Sequence, residues 1–595
     1  MRTWFCFHNR YIFFTLVFYK HCRYVSEKAG RDISSQFVKL NSIAQKKQKR
    51  AVLSLLNNKN VNGEIITEVQ KILEDDCFKD LYSALDSKYK LEKFIRCNFD
   101  YVPIEPIKIQ NEVVGHYLPI TQTLTYLFQD KSVSIVKSES TEAGVIQFIR
   151  DSETFKNSKC LPQNEDFILL SVYSDVVALT NPLGASKRKH NIWHAYFICH
   201  DLPDWEKSSL KMIFNIAYVD NQKIKKDYTV VHNRIVSELK RLETVGIRIG
   251  GKKFKFILHT FLGDNLEVHD VSGLQTHFNS GFVCRSCLVT HDQLQDIDKV
   301  STPRTEAHYN MAMAHIQVTN QENTEDSENL QLCTETEDVE EDEDEDEDDY
   351  NDRDIYVPND GPDNEADERK ENEEINDDIL EASQSMEDET AGSDTFGWKK
   401  MCPYNSLMHF SSLRSFPFDL MHDFFEGVLS YDIPSILKYY FKSKQITLDT
   451  LNERMKNFNF SQDEGKDKPV LFTTTTLKRL PGKAMANSVL LKILPYLLQP
   501  LITHNPSCQI WQSLLMLHRI REIVLAERID EVLLLELEET IQQYFNVRSQ
   551  NNVFDLLRPK HHYVYSHLTE NIVLHGPPTI TWTARYVKKI SVTFH

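Results

Sequence analysis

Between Asp166 and Thr290 short, continuously apolar runs alternate with one amphipathic stretch. Phe167–Tyr173 (FILLSVY), Ile192–Cys199 (IWHAYFIC) and Met212–Val219 (MIFNIAYV) are rich in β-branched and aromatic residues, which predicts buried strands. Val230–Thr244 (VVHNRIVSELKRLET) repeats its apolar residues at helical spacing, and Lys253–Leu262 (KFKFILHTFL) reads as a fourth strand. Upstream, residues 27–98 read as helices, with amphipathic runs at Ile43–Asn57, Ile65–Leu73 and Tyr82–Phe94. Val102–Val114 is extended and Pro-punctuated, a connection into the main domain, and Ile120–Phe128 and Val145–Ile149 read as short helical pieces. From Leu407 the pattern is helical again, over Phe424–Leu437, Ala484–Leu498, Ile510–Leu525 and Asp530–Phe545, and the stripe Phe424, Phe425, Val428, Leu429 reads as helical core.

Three strands on short links, a crossover helix and a further strand follow the order of an RNase H-like α/β sheet. The expected organisation is therefore α/β. Residues 1–26 stand apart, 27–150 form a helical N-terminal region, and 151–320 form the RNase H-like core. An acidic disordered insert occupies 321–394. Residues 395–595 hold an all-helical insertion domain and the C-terminal remainder of the core. The apolar run Tyr11–Tyr19 (YIFFTLVFY) is too short to span a bilayer as a helix. It has a charged flank like a signal peptide, but no small-residue cleavage site follows. A buried strand, a chance segment or a misjudged start is the favoured reading. No other stretch is long and apolar enough for a transmembrane helix, so no membrane partner is expected.

The net charge of −19 changes meaning once it is located. Residues 321–394 hold 34 Asp+Glu against 3 Lys+Arg, with an unbroken acidic run from Glu340 to Asp349; the rest, with 53 acidic and 65 basic residues, carries +12. So charged and apolar-poor a segment is expected to be a disordered, solvated linker. The basic remainder suits a polyanion such as DNA, although the same surplus also serves ordinary solubility. Eleven cysteines, an odd and scattered set, argue for a reducing compartment.

Asp175 follows the first strand and Asp264 the fourth. In the expected sheet these strands are neighbours, so the two carboxylates would face one another and hold divalent ions, Mg²⁺ or Mn²⁺, for phosphodiester chemistry. The plainer reading of either residue is a turn former or helix cap. Cys284 and Cys287 form a C-x-x-C, half of a zinc site, with His291, His308 and His315 as candidate partners and His308 the one chosen; free thiols in a turn are the alternative. Two basic clusters, Ser186–His190 with Lys187, Arg188 and Lys189, and Gly251–Lys255 with Lys252 and Lys253, are candidate DNA-phosphate contacts near the active face, or else solvated loops. His561 and His562, read as neighbours on a strand, are expected to be structural.

Six ordered blocks then resemble one family. YSDVVALTNPLGASKRKHNIWHAYF, GDNLEVHDVSGL followed by FVCRSC, FPFDLMHDFFEGVL, RLPGKAMANSVLLKILPYLL, LLRPKHHYVYSH and GPPTITWTARY are similar to segments of CACTA (En/Spm)-like transposase relatives of animal genomes. The resemblance spans about Asn60 to Tyr586, interrupted by the acidic insert. It implies an RNase H-like DDE core, with Asp175 and Asp264 as the first two acids of a triad. It also implies a C-x-x-C completed by a downstream histidine, DNA as partner, assembly as a homo-oligomer and a nuclear location. The family's block W-x-x-R-[FY]-E-x-K-H is matched by Trp582, Arg585, Tyr586, Val587, Lys588 and Lys589, so Val587 stands where the acid belongs. The third acid is then either missing or supplied by Glu426 or Asp423 of MHDFFEG. The expected function is metal-dependent DNA cleavage and strand transfer in an impaired form. The rivals are a non-catalytic DNA- or chromatin-binding protein and a decayed element copy.

Overall fold

A computed structural model describes residues 49–59, 61–74, 102–129, 133–158, 161–162, 165–178, 191–207, 209–224, 227–331, 395–462, 464–502 and 508–594. Residues 1–26, the run Tyr82–Phe94, Lys187–Lys189 and most of the acidic segment lie outside them. The chain divides into two compact units. One comprises Met1–Pro103 with Phe594–His595, and the other runs from Ile104 to Thr593. In the first, the described residues form α1 (49–58) and α2 (Gly63–Glu74), both amphipathic as expected.

The second unit is mixed α/β, built on one seven-stranded sheet: β1 (Glu105–Ile109), β2 (Glu112–Tyr117), β3 (Asp166–Ala178), β4 (Asn191–Cys199), β5 (Phe214–Asp220), β6 (Ile247–Ile249) and β7 (Lys252–Leu262). The spatial order is β1-β2-β5-β4-β3-β7-β6, and every pairing is antiparallel except β3 with β7. A parallel neighbour needs a crossover, supplied by α4 (Thr229–Thr244). Val231, Ile235, Leu239 and Leu242 of α4 are buried on the face that carries Ile168, Leu170 and Val172 of β3. The alternate residues of β3 face the other way, where Tyr173 meets Tyr196 and Leu262. With both faces covered, the central strands must be apolar throughout, which is why they read as unbroken runs.

The expected extended connection at 102–114 is instead the hairpin β1–β2, paired onto β5. Its turn is Gln110–Asn111, both at positive φ (47° and 70°), the backbone that a two-residue hairpin of right-handed twist requires. Helix α3 (Ile120–Gln129) follows and buries Ile120, Leu124 and Phe128. The piece Val145–Ile149 is not helical. Ile146 pairs with Ile529 in an isolated antiparallel bridge, and only Ile149–Asp151 turns as a 3₁₀ helix; so short an apolar run carries no reliable period.

After β7 come α5 (Asn265–Ser272) and α6 (Glu306–Gln331), the latter running into the segment expected to be disordered. The helical body then comprises α7 (Leu429–Lys442), α8 (Leu448–Asn457), α9 (Ala484–Leu498), α10 (Gln509–Val524) and α11 (Glu531–Ser549). It shares one core from Leu420 to Ile572 in which Phe424, Phe425, Val428 and Leu429 are fully buried. Such side chains contribute about 1.5–3 kcal/mol each. Among the described residues no helix is long and apolar enough to cross a membrane.

Candidate metal centre and the acidic strand ends

Cys284 and Cys287 sit in a tight turn. Phe282 pairs with Thr290 and Cys287 with Pro303 in isolated bridges, and the Ser286 amide donates to Cys284 Sγ at 3.4 Å. Their partners come from the other end of the chain. Helix α12 (Pro559–His562) continues through a π-helical turn, Tyr563–His567, into α13 (Leu568–His575). Residues five apart lie ~140° from each other on an α-helix. The wider π turn brings His562 and His567 to one side. The four ligand atoms of Cys284, Cys287, His562 and His567 all lie within 4.8 Å of one another and all four residues are buried. Cys284 Sγ is 3.4 Å from His567 Nε2, and Cys287 Sγ 3.2 Å from His562 Nε2. A tetrahedral zinc ion, with Zn–S ~2.3 Å and Zn–N ~2.0–2.1 Å, sets neighbouring sulfur and nitrogen ligands roughly 3.5 Å apart. Each imidazole keeps its other nitrogen for an outward partner, His562 Nδ1 to Ser566 Oγ (3.1 Å) and His567 Nδ1 to Glu570 Oε2 (3.1 Å). That is the outer support a ligating histidine needs.

The electrostatics fit a cation. Burial opposes ionisation of Cys284, but Cys287, His567 and His562 together hold its thiol well below the usual range. Cys287 is pushed up by the hydrogen bond it shares with Cys284 and by burial. This donor set is closed, and could hold a structural zinc ion. His308 is not part of it. It is half-buried on α6, with Nδ1 taking the Thr305 amide at 3.2 Å. His291 and His315 are exposed. His562, expected to be structural, instead belongs to the candidate ligand set, because the segment is a helix with a π turn and not a strand. Only its neighbour His561 is structural, 3.4 Å from the Asp432 carboxylate that Arg548 grips.

Toward the C-terminal ends of β3 and β7 the acids gather. Tyr173 pairs with Leu262 across the parallel strands, and Asp175 and Asp264 each lie two residues further on. Asp175 is buried. Its Oδ2 accepts the Tyr173 hydroxyl at 3.0 Å and its Oδ1 the Val176 amide at 2.7 Å. Asp264 caps α5, accepting the Glu267 amide at 2.8 Å. Glu267, unnoticed in the sequence, is buried against Trp193 Nε1 (2.9 Å) and the Ser174 hydroxyl, and burial pushes its carboxyl up to about 8.

The helical body presents a second π-helical turn here, Met421–Val428. Asp419 just before it accepts His422 Nδ1 (2.6 Å), the Thr583 hydroxyl (2.6 Å) and the Thr583 amide (2.8 Å). Burial works against the His422 imidazolium, yet the Asp419 carboxylate, with Glu426 and Asp264 beyond it, raises it to about 9. Asp423 is buried, with Asn265 Nδ2 on one oxygen at 2.6 Å. Burial raises it to about 6 against the pull of Arg285. Glu426 Oε1 accepts the Ala484 amide at 3.0 Å and so caps α9. Helix α14 (Ala584–Phe594) closes over this end of the sheet, Tyr586 stacking on Tyr173 at 4.5 Å.

These acids share a neighbourhood without forming a cage. Among the described residues the Cys₂His₂ set is the one group of three or more ligands that converges within 4.8 Å. Lys252 and Lys253 are not near the acids. They open β7, which is eleven residues long, so Asp264 lies roughly 35 Å away past its far end. Both are exposed, and Lys252 pairs with Asp166 at 2.6 Å. A scan against known protein families finds no matching family, and a search of curated proteins finds no match.

Proposed function

We propose that this chain is a transposon-derived protein with an RNase H-like core of the CACTA kind, descended from metal-dependent DNA cleavage and strand transfer. On this reading it acts on DNA in the nucleus, as a homo-oligomer, and its cleavage is impaired. The observation that carries the reading is the position of Asp175 and Asp264. They stand at matching places two residues past Tyr173–Leu262, where β3 and β7 part, in a sheet whose first four core strands run in the order β5-β4-β3-β7. Asp175 is still within β3, paired with His194 of β4, and not after the strand as expected. Two carboxylates so placed would share a Mg²⁺ or Mn²⁺ ion, which positions the attacking oxygen and stabilises the leaving one.

Impairment is supported by what the remaining acids do. Glu426 caps a helix and Asp423 is held by Asn265, while Val587 packs against the helical core. With the third ligand absent, a DNA-binding scaffold is what remains. The test is nicking of supercoiled plasmid in Mn²⁺ beside salt-dependent retention of DNA. Retention that falls steeply with salt, without cleavage above an Asp264→Asn control, is expected. Nicking abolished by both Asp264→Asn and Glu426→Gln would make this an active nuclease with Glu426 as third ligand. No DNA retention at low salt removes the reading.

A further inference from the structure

Arg285 stands between the two cysteines of the metal centre, but its side chain leaves that centre. It is buried, and its guanidinium donates to Asn265 Oδ1 (2.7 Å), to the Pro417 carbonyl (2.9 Å) and to the Phe416 carbonyl (3.3 Å). Each of these contacts opens onto the acidic site. Asn265 follows Asp264 and donates its own amide to Asp423. Phe416 and Pro417 lead into Asp419. A second connection runs through Phe418, whose ring lies parallel to that of His567 (5.3 Å between centroids, 9° between planes) and 3.7 Å beneath the Arg285 guanidinium.

We propose that Arg285 is a positioning residue that couples the Cys₂His₂ centre to the acidic site: a metal ion fixes the backbone of Arg285 and the ring of His567, and through them the places of Asn265, Asp423 and the segment leading to Asp419. A guanidinium suits this task. It is planar, permanently charged and offers five donors in a fixed fork, so it holds three acceptors in one geometry. With the centre empty, only the Cys284–His567 and Cys287–His562 hydrogen bonds tie the turn to its histidines, so the fork has a looser anchor while its acceptors remain. The consequence for Mg²⁺ or Mn²⁺ binding at Asp175 and Asp264 rests on the functional reading above; the coupling itself does not.

Backbone hydrogen exchange of the full chain, stripped of metal by a chelator and reloaded with Zn²⁺ or Co²⁺, tests it. Loading is expected to slow exchange about tenfold over residues 264–272 and 419–428, which contain none of the four ligands. Arg285→Met should keep the cobalt–thiolate absorption of a filled centre yet lose that slowing, and Arg285→Lys should restore part of it. Asn265→Ala removes the link to Asp423 without deleting a buried cation, and should weaken the slowing over 419–428 with the centre filled. Wild-type slowing in either variant, or no slowing in the wild type, overturns the proposal. A separate titration with Mn²⁺, read by electron paramagnetic resonance against Asp264→Asn, bears on the functional reading alone.

Discussion

Two places in this chain bring charge and ligands together, and they do so in opposite ways. The Cys₂His₂ centre draws its halves from positions 275 and more residues apart, and its four ligand atoms converge on one another. The acidic strand ends draw from β3, β7, the π turn at 421–428 and the start of α14. There each carboxylate already has a local partner: Tyr173 for Asp175, the α5 amide for Asp264, Thr583 for Asp419, Asn265 for Asp423, the α9 amide for Glu426. A soft, closed donor set in a buried pocket suits a metal ion. Carboxylates at element ends serve as caps first, and an oxygen-ligated cation or a phosphate must compete with the cap. The contrast teaches that proximity of acids is a weaker mark of a site than unspent ligands.

The largest effect expected is on the closed centre. The purified protein should carry one zinc ion per chain. Cys284→Ser and His567→Ala should each lose it and several kcal/mol of stability, since structural zinc couples to folding by up to ~10 kcal/mol or more. His308→Ala should change neither. Elemental analysis and urea unfolding midpoints read both quantities, and unchanged zinc in Cys284→Ser would dissolve the contrast between the regions.

A smaller effect separates histidines by region. His232, His269 and His575 are each lowered to about 3 and His259 to about 4, all by burial in apolar layers, whereas His422 among the acids is raised. A histidine lowered in the folded state costs nothing above its unfolded value near 6.5. Below that, the unfolded chain takes the proton and the folded one does not, so stability falls as pH drops toward 4. His422 has the opposite sign: its contribution is full below about 6.5 and fades as pH rises through about 9. Counting His200, His409, His518 and His561, also lowered, and His567, also raised, eight lowered groups against two raised ones predict a fall from pH 6.5 to 4.5, by up to ~1.4 kcal/mol per pH unit for each lowered histidine. Urea melts across that range measure the slope, and His232→Gln should reduce it by about one proton. A flat profile would mean that these rings are not neutral.

Much of this architecture was legible because periodicity survives without tertiary knowledge. The four core strands and α4 were readable from their apolar runs, within a few residues of their ends. The hairpin β1–β2 was not, since its turn is Gln-Asn and its prolines suggested a linker. Half of the metal centre was readable from the spacing of Cys284 and Cys287. The other half was hidden, because histidines five apart fall on opposite faces of a strand and well apart on an α-helix; only the π turn aligns them. The signal that existed was HHYVYSH itself, in which His562 and His567 stand five apart with no other evident task. Asp419 and His422 are visible as an i,i+3 pair in FDLMH, a spacing that on a helix is common to surface pairs and so does not by itself mark a buried one. Lys252 and Lys253 were misplaced because a strand's direction, not its sequence neighbourhood, decides which end meets the site.

The smallest effect in stability sharpens the comparison most. Val587 is half-buried on α14, one turn beyond Thr583, whose hydroxyl and amide hold Asp419. Residues four apart share a helix face, so position 587 lies on the side of α14 that meets Asp419 and His422. Val587→Glu trades a partly covered methyl pair for a carboxylate and should cost on the order of 1 kcal/mol. If the strand ends are an open cation site short of one ligand, that carboxylate should tighten Mn²⁺ binding about tenfold, and Asp264→Asn in the same background should remove the gain. The variant would then move the acidic region toward the closed character of the cysteine centre. Should Val587→Glu leave Mn²⁺ affinity unchanged while Glu426→Gln abolishes binding by the parent chain, the third ligand is Glu426. The cap it provides to α9 would then be the contact that a metal displaces.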